Sequence, residues 1–281
     1  CGQGCIYGYA RPSHAQLGLS PGLDFETRIT VKPRAAELLE AALRKPGYEV
    51  RPIAIGTNTD PYQPVERTQR IMRRLLEVLQ DFRHPVCITT KGTLLTRDLD
   101  ILGPMGRAGL AHVSVSMTTL DNRLSRRMEP RAAAPERRLR MIRALAQAGV
   151  PVQVNTSPLV PAINDHEIER LIAAAAEAGA RSASYTVLRL PLEVSGLFRD
   201  WLAREFPDRA ERVMGKVREM HGGRDYDPAW GRRMKGDGVH AKLIARRFRL
   251  AARRAGLDRG LPPLRTDLFA VPERPGDQLA L

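Results

Sequence analysis

Three segments of this chain end in the same dipeptide, Ala108-Gly109, Ala148-Gly149 and Ala178-Gly179, and each time a short β-rich run follows. Glycine just past a helix supplies the left-handed residue that turns the chain back toward a sheet. The segments before those glycines carry the matching periodicity. Ala35, Leu38, Leu39, Ala42 and Leu43 recur at i, i+3, i+4, i+7 and i+8, which makes one apolar helical face. Ile71, Leu75, Val78, Leu79 and Phe82 mark a second helix, and a third is predicted from about Pro135 to Ala148. Asn164, with Glu167 three residues on, forms a candidate capping box for a fourth. Between them lie predicted strands at 53–56, 86–90, 112–117, 152–156 and 184–190. Five strand–helix alternations with short links predict an α/β fold, a parallel sheet covered by helices. Periodicity fits an open doubly wound sheet and a partial barrel equally.

After residue 192 the alternation stops, which divides the chain into a first domain over 1–192 and a helical, basic extension over 193–281. Residues 239–255 are predicted as one helix with Leu243, Ile244 and Phe248 on one side. Between 235 and 259 there are eight Lys or Arg against two Asp. The tail from about 260 holds four prolines and is expected to be loosely ordered. The formal charge of +14 favours a polyanionic partner, nucleic acid or an anionic membrane surface. The arginine usage of a GC-rich genome gives the same balance, and a basic helix packed with a solvated face gives the same local pattern. No run of about 18 apolar residues is present to span a membrane, and no secretory signal is visible. The chain starts at Cys1, not Met. A piece whose first strand has been removed is expected, and the lipid-bearing first cysteine of a lipoprotein is the competing reading. Three cysteines make no disulfide framework and point to a reducing compartment, the cytoplasm.

The most informative stretch is Cys1-Gly-Gln-Gly-Cys5-Ile-Tyr7-Gly8-Tyr9-Ala10. Thiolates at such spacing on a loop suit iron. The stretch resembles the cluster motif of the radical S-adenosylmethionine (radical SAM) superfamily, in which three cysteines hold a 4Fe–4S cluster and leave one iron for the cofactor. Gly56 to Glu66, Val115 to Pro130 and Pro151 to Asp165 extend the resemblance toward a bacterial branch related to spore photoproduct lyase, over 1 to about 255. It implies a partial parallel (β/α)6-type barrel without its first strand. It also implies S-adenosylmethionine and an electron donor as partners, and reductive cleavage to a 5′-deoxyadenosyl radical that abstracts hydrogen from a substrate. Cys1 and Cys5 take the places of two cluster ligands, but the third cysteine position is Gly8, which has no side chain.

The same resemblance places Tyr7 against the adenine, and Thr57, Thr59 and Asp60 near the methionyl amino group. Lys91 falls near the methionyl carboxylate, Ser114 near the ribose, and Arg138 within reach of a carboxylate. Without it, Asn58-Thr59-Asp60-Pro61 is equally well a turn. Pro158 to Pro161 would border the adenine, with Ala162 where relatives often carry glycine. Cys87 falls in a predicted strand and is expected to be a small core residue. The six histidines share no ligand spacing, and no phosphate loop or Ser-His-Asp set is present. The position of the hydrogen-donor cysteine in spore photoproduct lyase, which repairs a thymine dimer in DNA, is best matched by Thr57, which counts against dimer repair by that route and leaves the substrate unspecified. Two functions remain. One is a radical enzyme impaired by the loss of one ligand. The other is a clusterless, inactive, basic nucleic-acid-binding protein that kept the fold.

Overall fold

The computed structural model describes residues 1–273. Five parallel strands, β1 (Ile53–Ile55), β2 (Val86–Thr90), β3 (Ala111–Ser116), β4 (Val152–Leu159) and β5 (Ser182–Val187), pair in chain order. A doubly wound sheet reverses its strand order at a switch point. This sheet does not, and its end strands β1 and β5 stay unpaired with each other, so it is a partial barrel open at one side. Right-handed crossovers then place the connecting helices on one face.

Residue alternation shows which face that is. Val86, Ile88, Ala111, Val113, Val115, Val152 and Val154 are fully buried against the helices. Thr89, His112, Ser114, Gln153 and Asn155 alternate with them and are half-buried on the concave side. The strands are thus apolar outward and polar inward, so the lumen is lined with hydrogen-bonding groups.

Helices Ala35–Leu43, Ile71–Asp81, Leu99–Arg107, Pro135–Gln147 and Ile168–Glu177 lie between the strands or flank them. All three repeated glycines are left-handed, with φ of 74°, 85° and 99°. The residue after each returns its N–H five residues back, as in Val150 to the Leu145 carbonyl at 3.0 Å. Leu38, placed on an apolar face by periodicity, is exposed, while Leu43 is buried. Asn164 does not cap the next helix. Its Oδ1 accepts from the Val160 N–H at 2.7 Å, and its amide donates to the Thr118 and Pro158 carbonyls. Glu167 accepts from Thr119 and from the Leu120 N–H. The pair ties the loops after β3 and β4 together, and the helix starts later, at Ile168.

The C-terminal segment is packed against this frame. Helix Gly238–Arg254 buries Ile244, Phe248, Ala251 and Ala252, and Phe248 lies 4.5 Å from Tyr185 of β5, centroid to centroid. Leu243, expected on that face, is half-exposed instead. The Ala183 N–H of β5 donates to the Leu257 carbonyl at 3.0 Å, so the sheet's last edge is covered. The tail from 260 is anchored as far as Pro272: Arg265 N–H donates to Gly109, Ala270 N–H to Phe82, Arg44 Nη1 to the Pro272 carbonyl at 2.9 Å, and Phe269 packs beside Tyr48 and His84. The expected loose ordering of 274–281 lies outside the described residues.

Phe248→Ala should leave a cavity between helix and edge strand and lower stability by about 3–5 kcal/mol. Urea unfolding measures it; a loss under about 1 kcal/mol would mean that the C-terminal helix does not share the barrel's core.

Candidate active site

A cleft of about 200 Å³ opens at the carboxyl ends of the strands. Every strand or the loop after it contributes: Thr59 and Asp60 after β1, Thr90 and Lys91 at the end of β2, Ser116 of β3, Asn155 and Ser157 of β4, Thr186 of β5. The cysteine loop forms the remaining wall with Cys1, Cys5, Tyr7 and Gly8. In parallel β/α folds this is where ligand groups collect.

The cysteine loop is held by a buried arginine. Arg11 donates from Nε and Nη2 to the Cys5 carbonyl at 3.2 and 2.8 Å. It also reaches the Pro21 and Gly22 carbonyls and pairs with Glu26 at 2.7 Å. The Gly8 N–H closes a turn onto the Cys5 carbonyl at 3.2 Å, so positions 5 and 8 sit at one end of the cleft.

Behind the cleft wall lies a buried charge cluster. The Glu129 carboxylate accepts from Lys91 Nζ at 3.1 Å, from Thr118 Oγ1 at 2.8 Å, and from the Tyr7 hydroxyl and Arg138. Burial is the largest influence on Glu129 and pushes its carboxyl up, but Arg138 and Lys91 overcome it and hold it well below the usual carboxylate range. Burial likewise opposes charge on Lys91, while the Cys5 sulfur, Glu129 and Tyr7 carry it above its ordinary value. Lys91 Nζ stands 3.5 Å from Cys5 Sγ. Burial pushes the Cys5 thiol up, and Lys91 only partly opposes this.

The positions singled out in the sequence fall in different places. Tyr7, Thr59, Asp60 and Lys91 line the cleft with Cys1 and Cys5. Asp60 is occupied by its own surroundings, accepting from Thr90 Oγ1 at 2.5 Å and from the Tyr62 and Lys91 N–H groups at 2.9 Å. Thr57 is exposed and offers its carbonyl to the Tyr9 hydroxyl, with its side chain outside the cleft. Ser114 is on the lumen face, in register with Thr89 and Gln153, two residues below Ser116, which reaches the cleft. Arg138 is fully buried behind the wall, holding Glu129 and the Ser116 carbonyl. Cys87 is half-buried on β2 and outside the cleft.

Glu129 lies in the segment Glu129-Pro130-Arg131 that the family resemblance covers, but nothing local marks it as the centre of four side chains. Arg189 carries no such signal in the sequence. It lines the cleft with its guanidinium 4.7 Å from the Tyr9 ring. Gln153, Asn155 and Ser157, at alternating positions of β4, form an inward polar face that is visible in the sequence pattern.

The donor set does not fit a three-ligand cluster. Among the described residues no three His, Cys, Asp or Glu side chains gather where a metal could bind. At Gly8 a Cβ would meet the Cys5 carbonyl oxygen at 3.2 Å, a tight contact to which that peptide must yield slightly, and Arg11 Cγ and Nε at an ordinary 3.6 Å.

Residues 1–175 match the family model of the radical SAM superfamily. An uncharacterised protein of Mycobacterium tuberculosis strain H37Rv is 35% identical over 274 residues, covering 97% of this chain and 77% of its own length. One from Methanocaldococcus jannaschii is 24% identical over 165 residues, 59% of this chain and 60% of its own. Among solved structures, spore photoproduct lyase complexed with dinucleoside spore photoproduct superposes with a TM-score of 0.57 at 15% identity, over 89% of this chain and 70% of the lyase. A mutant of that lyase with bound AdoMet gives 0.54 at 14% identity, over 89% and 70%. At such identities the likeness speaks for the fold.

Glu129→Gln would leave Lys91 and Arg138 buried without a countercharge, and should cost about 3–5 kcal/mol at neutral pH. The contribution of a depressed carboxyl is present above its unfolded pKa of about 4.3 and is lost as pH falls through the folded value. The gap between the two proteins in thermal melts should therefore be widest near neutrality and close in acid. Equal melting at pH 7 would contradict the charge cluster.

Proposed function

The chain belongs to the radical SAM superfamily, and on that premise we propose that it keeps the S-adenosylmethionine pocket while its cluster site is one ligand short. Gly8 carries this reading. The turn that brings residue 8 beside Cys5 is present, and only the sulfur is missing. With two thiols, one pushed toward its protonated form by burial, iron would be held weakly. Reductive cleavage of the cofactor to a 5′-deoxyadenosyl radical would then be impaired in the chain as it stands.

The pocket's own residues support binding of the cofactor's polar ends. Lys91, held in its charged form despite burial and already paired with Glu129 at 3.1 Å, offers its remaining N–H groups to a carboxylate at the cysteine end. Thr59, Ser116, Asn155 and Ser157 supply hydrogen-bonding groups along the cleft. Tyr7 presents its ring from the cysteine loop toward an adenine, with its hydroxyl fixed by Glu129 and Thr118. Ser114 and Arg138 act from beneath and behind. An electron donor is part of this reading, as is the reducing cytoplasm, which suits three free cysteines.

Two observations bear on whether the substrate is a small molecule or a nucleic acid. The structural likeness includes a lyase complexed with a dinucleoside photoproduct, and this chain carries a charge of +14. Arg246, Arg249, Arg253 and Arg254 are exposed on the C-terminal helix, whereas Arg247 is paired with Glu169 at 2.6 Å. That row favours the second reading, a clusterless nucleic-acid-binding protein.

One experiment separates the two. Iron and sulfide are measured after anaerobic reconstitution of the unaltered chain and of Gly8→Cys, followed by an assay of cofactor cleavage. We expect little cluster in the first and a stable one with cleavage in the second. A full, stable cluster in the unaltered chain would overturn the ligand assignment, and no cluster in Gly8→Cys would favour the binding protein.

A further inference from the structure

A second cavity of about 470 Å³ lies on the other side of the cysteine loop. It is more than twice the volume of the active cleft, and Gln3 lines both. Four arginines line it, Arg67, Arg97, Arg131 and Arg137, and none of its described lining residues is Asp or Glu. Like charges facing a shared concavity repel one another, and concave low-dielectric walls concentrate the field that they make.

The four are not equally neutralised. Arg97 is fixed from behind, its Nε to Asp98 at 2.9 Å and Nη2 to Glu66 at 3.1 Å. Arg131 donates from Nε to the Gly2 carbonyl at 2.7 Å and pairs with Glu26. Those acids hold two guanidiniums in place without entering the cavity. Arg67 and Arg137 are exposed, and neither has an ion pair or side-chain hydrogen bond among the described residues. A lone exposed arginine is ordinarily just solvated. Two unpaired ones in one concavity with two braced ones make an uncompensated positive site. The Thr93 side chain adds a hydroxyl, and Pro64 and Leu94 give an apolar flank.

We propose that this cavity is a phosphoryl-binding site, separate from the S-adenosylmethionine cleft. One guanidinium fork matches the two oxygens of a carboxylate, whereas a phosphoryl group has a third oxygen and can engage more than one arginine at once. S-adenosylmethionine carries no phosphate, so the site serves another ligand, and it goes beyond the reading of the cleft. The phosphoryl group belongs either to a free phosphate ester or to the backbone of a nucleic acid. Bound there, it would sit against the loop that carries Cys1 and Cys5, through Arg131 and Gln3.

Inorganic pyrophosphate is the probe for the test, titrated calorimetrically into the full chain, into Arg67→Gln/Arg137→Gln, and into Arg181→Gln/Arg212→Gln, two exposed arginines outside both cavities, as a control with the same loss of charge. The cavity pair should weaken binding by about tenfold per arginine, and the control by less than about twofold. The cavity variant should melt with the parent, because neither side chain has a partner to lose. Competition with a single-stranded oligonucleotide identifies the source. If pyrophosphate displaces it and the cavity variant loses it, the phosphoryl group is that of a nucleic acid. If oligonucleotide binding ignores both, the ligand is a free ester. No pyrophosphate binding by the parent, or equal loss in cavity and control variants, overturns the proposal. Either failure leaves S-adenosylmethionine binding and the Gly8→Cys result untouched.

Discussion

A single buried carboxylate holds the candidate site together. Glu129 draws Lys91 from just after β2, Arg138 from helix Pro135–Gln147, Thr118 from the loop after β3 and Tyr7 from the cysteine loop onto two oxygens. Charges taken out of water are costly unless each finds its partner, so the arrangement is all-or-none. Its consequence is positional. Tyr7 and Cys5 belong to a loop with no strand or long helix of its own, and the carboxylate anchors that loop to the barrel's rim. Arg11 does the same from the outside through the Cys5 carbonyl.

The fold serves this arrangement by sorting its strands. Because the outward faces of β2, β3 and β4 are valine, isoleucine and alanine, the helices seal that side. The inward faces, rich in Thr, Ser, Asn and Gln, remain available to a ligand. The same sorting explains why the cleft forms at the strand ends, where the polar lumen meets the loops.

Much of the fold was legible in the sequence. The Ala-Gly endings and apolar spacing located the five strands and their intervening helices to within a few residues, because glycine caps and periodicity act locally. Strand order was not legible, since a doubly wound sheet and a partial barrel share one alternation. Asn164 and Glu167 show the limit at finer scale. Their spacing suits a capping box, but two nearby loops offered unsatisfied backbone groups, and tertiary bonds won. The cysteine loop, Lys91 and Asp60 could be placed through family resemblance. The bonding role of Glu129, Arg189 and the four-arginine cavity were not legible, because the partners lie far apart in the chain and meet only in three dimensions.

Gly8 separates what the scaffold retains from what it lacks. If the anchored loop, Lys91 and the polar lumen are an intact cofactor pocket, that pocket should function without iron. Calorimetric titration of S-adenosylmethionine into the unaltered, metal-free chain tests this directly. The account predicts saturable binding at one site per chain, however modest in affinity. Heat indistinguishable from dilution of the cofactor into buffer would contradict it.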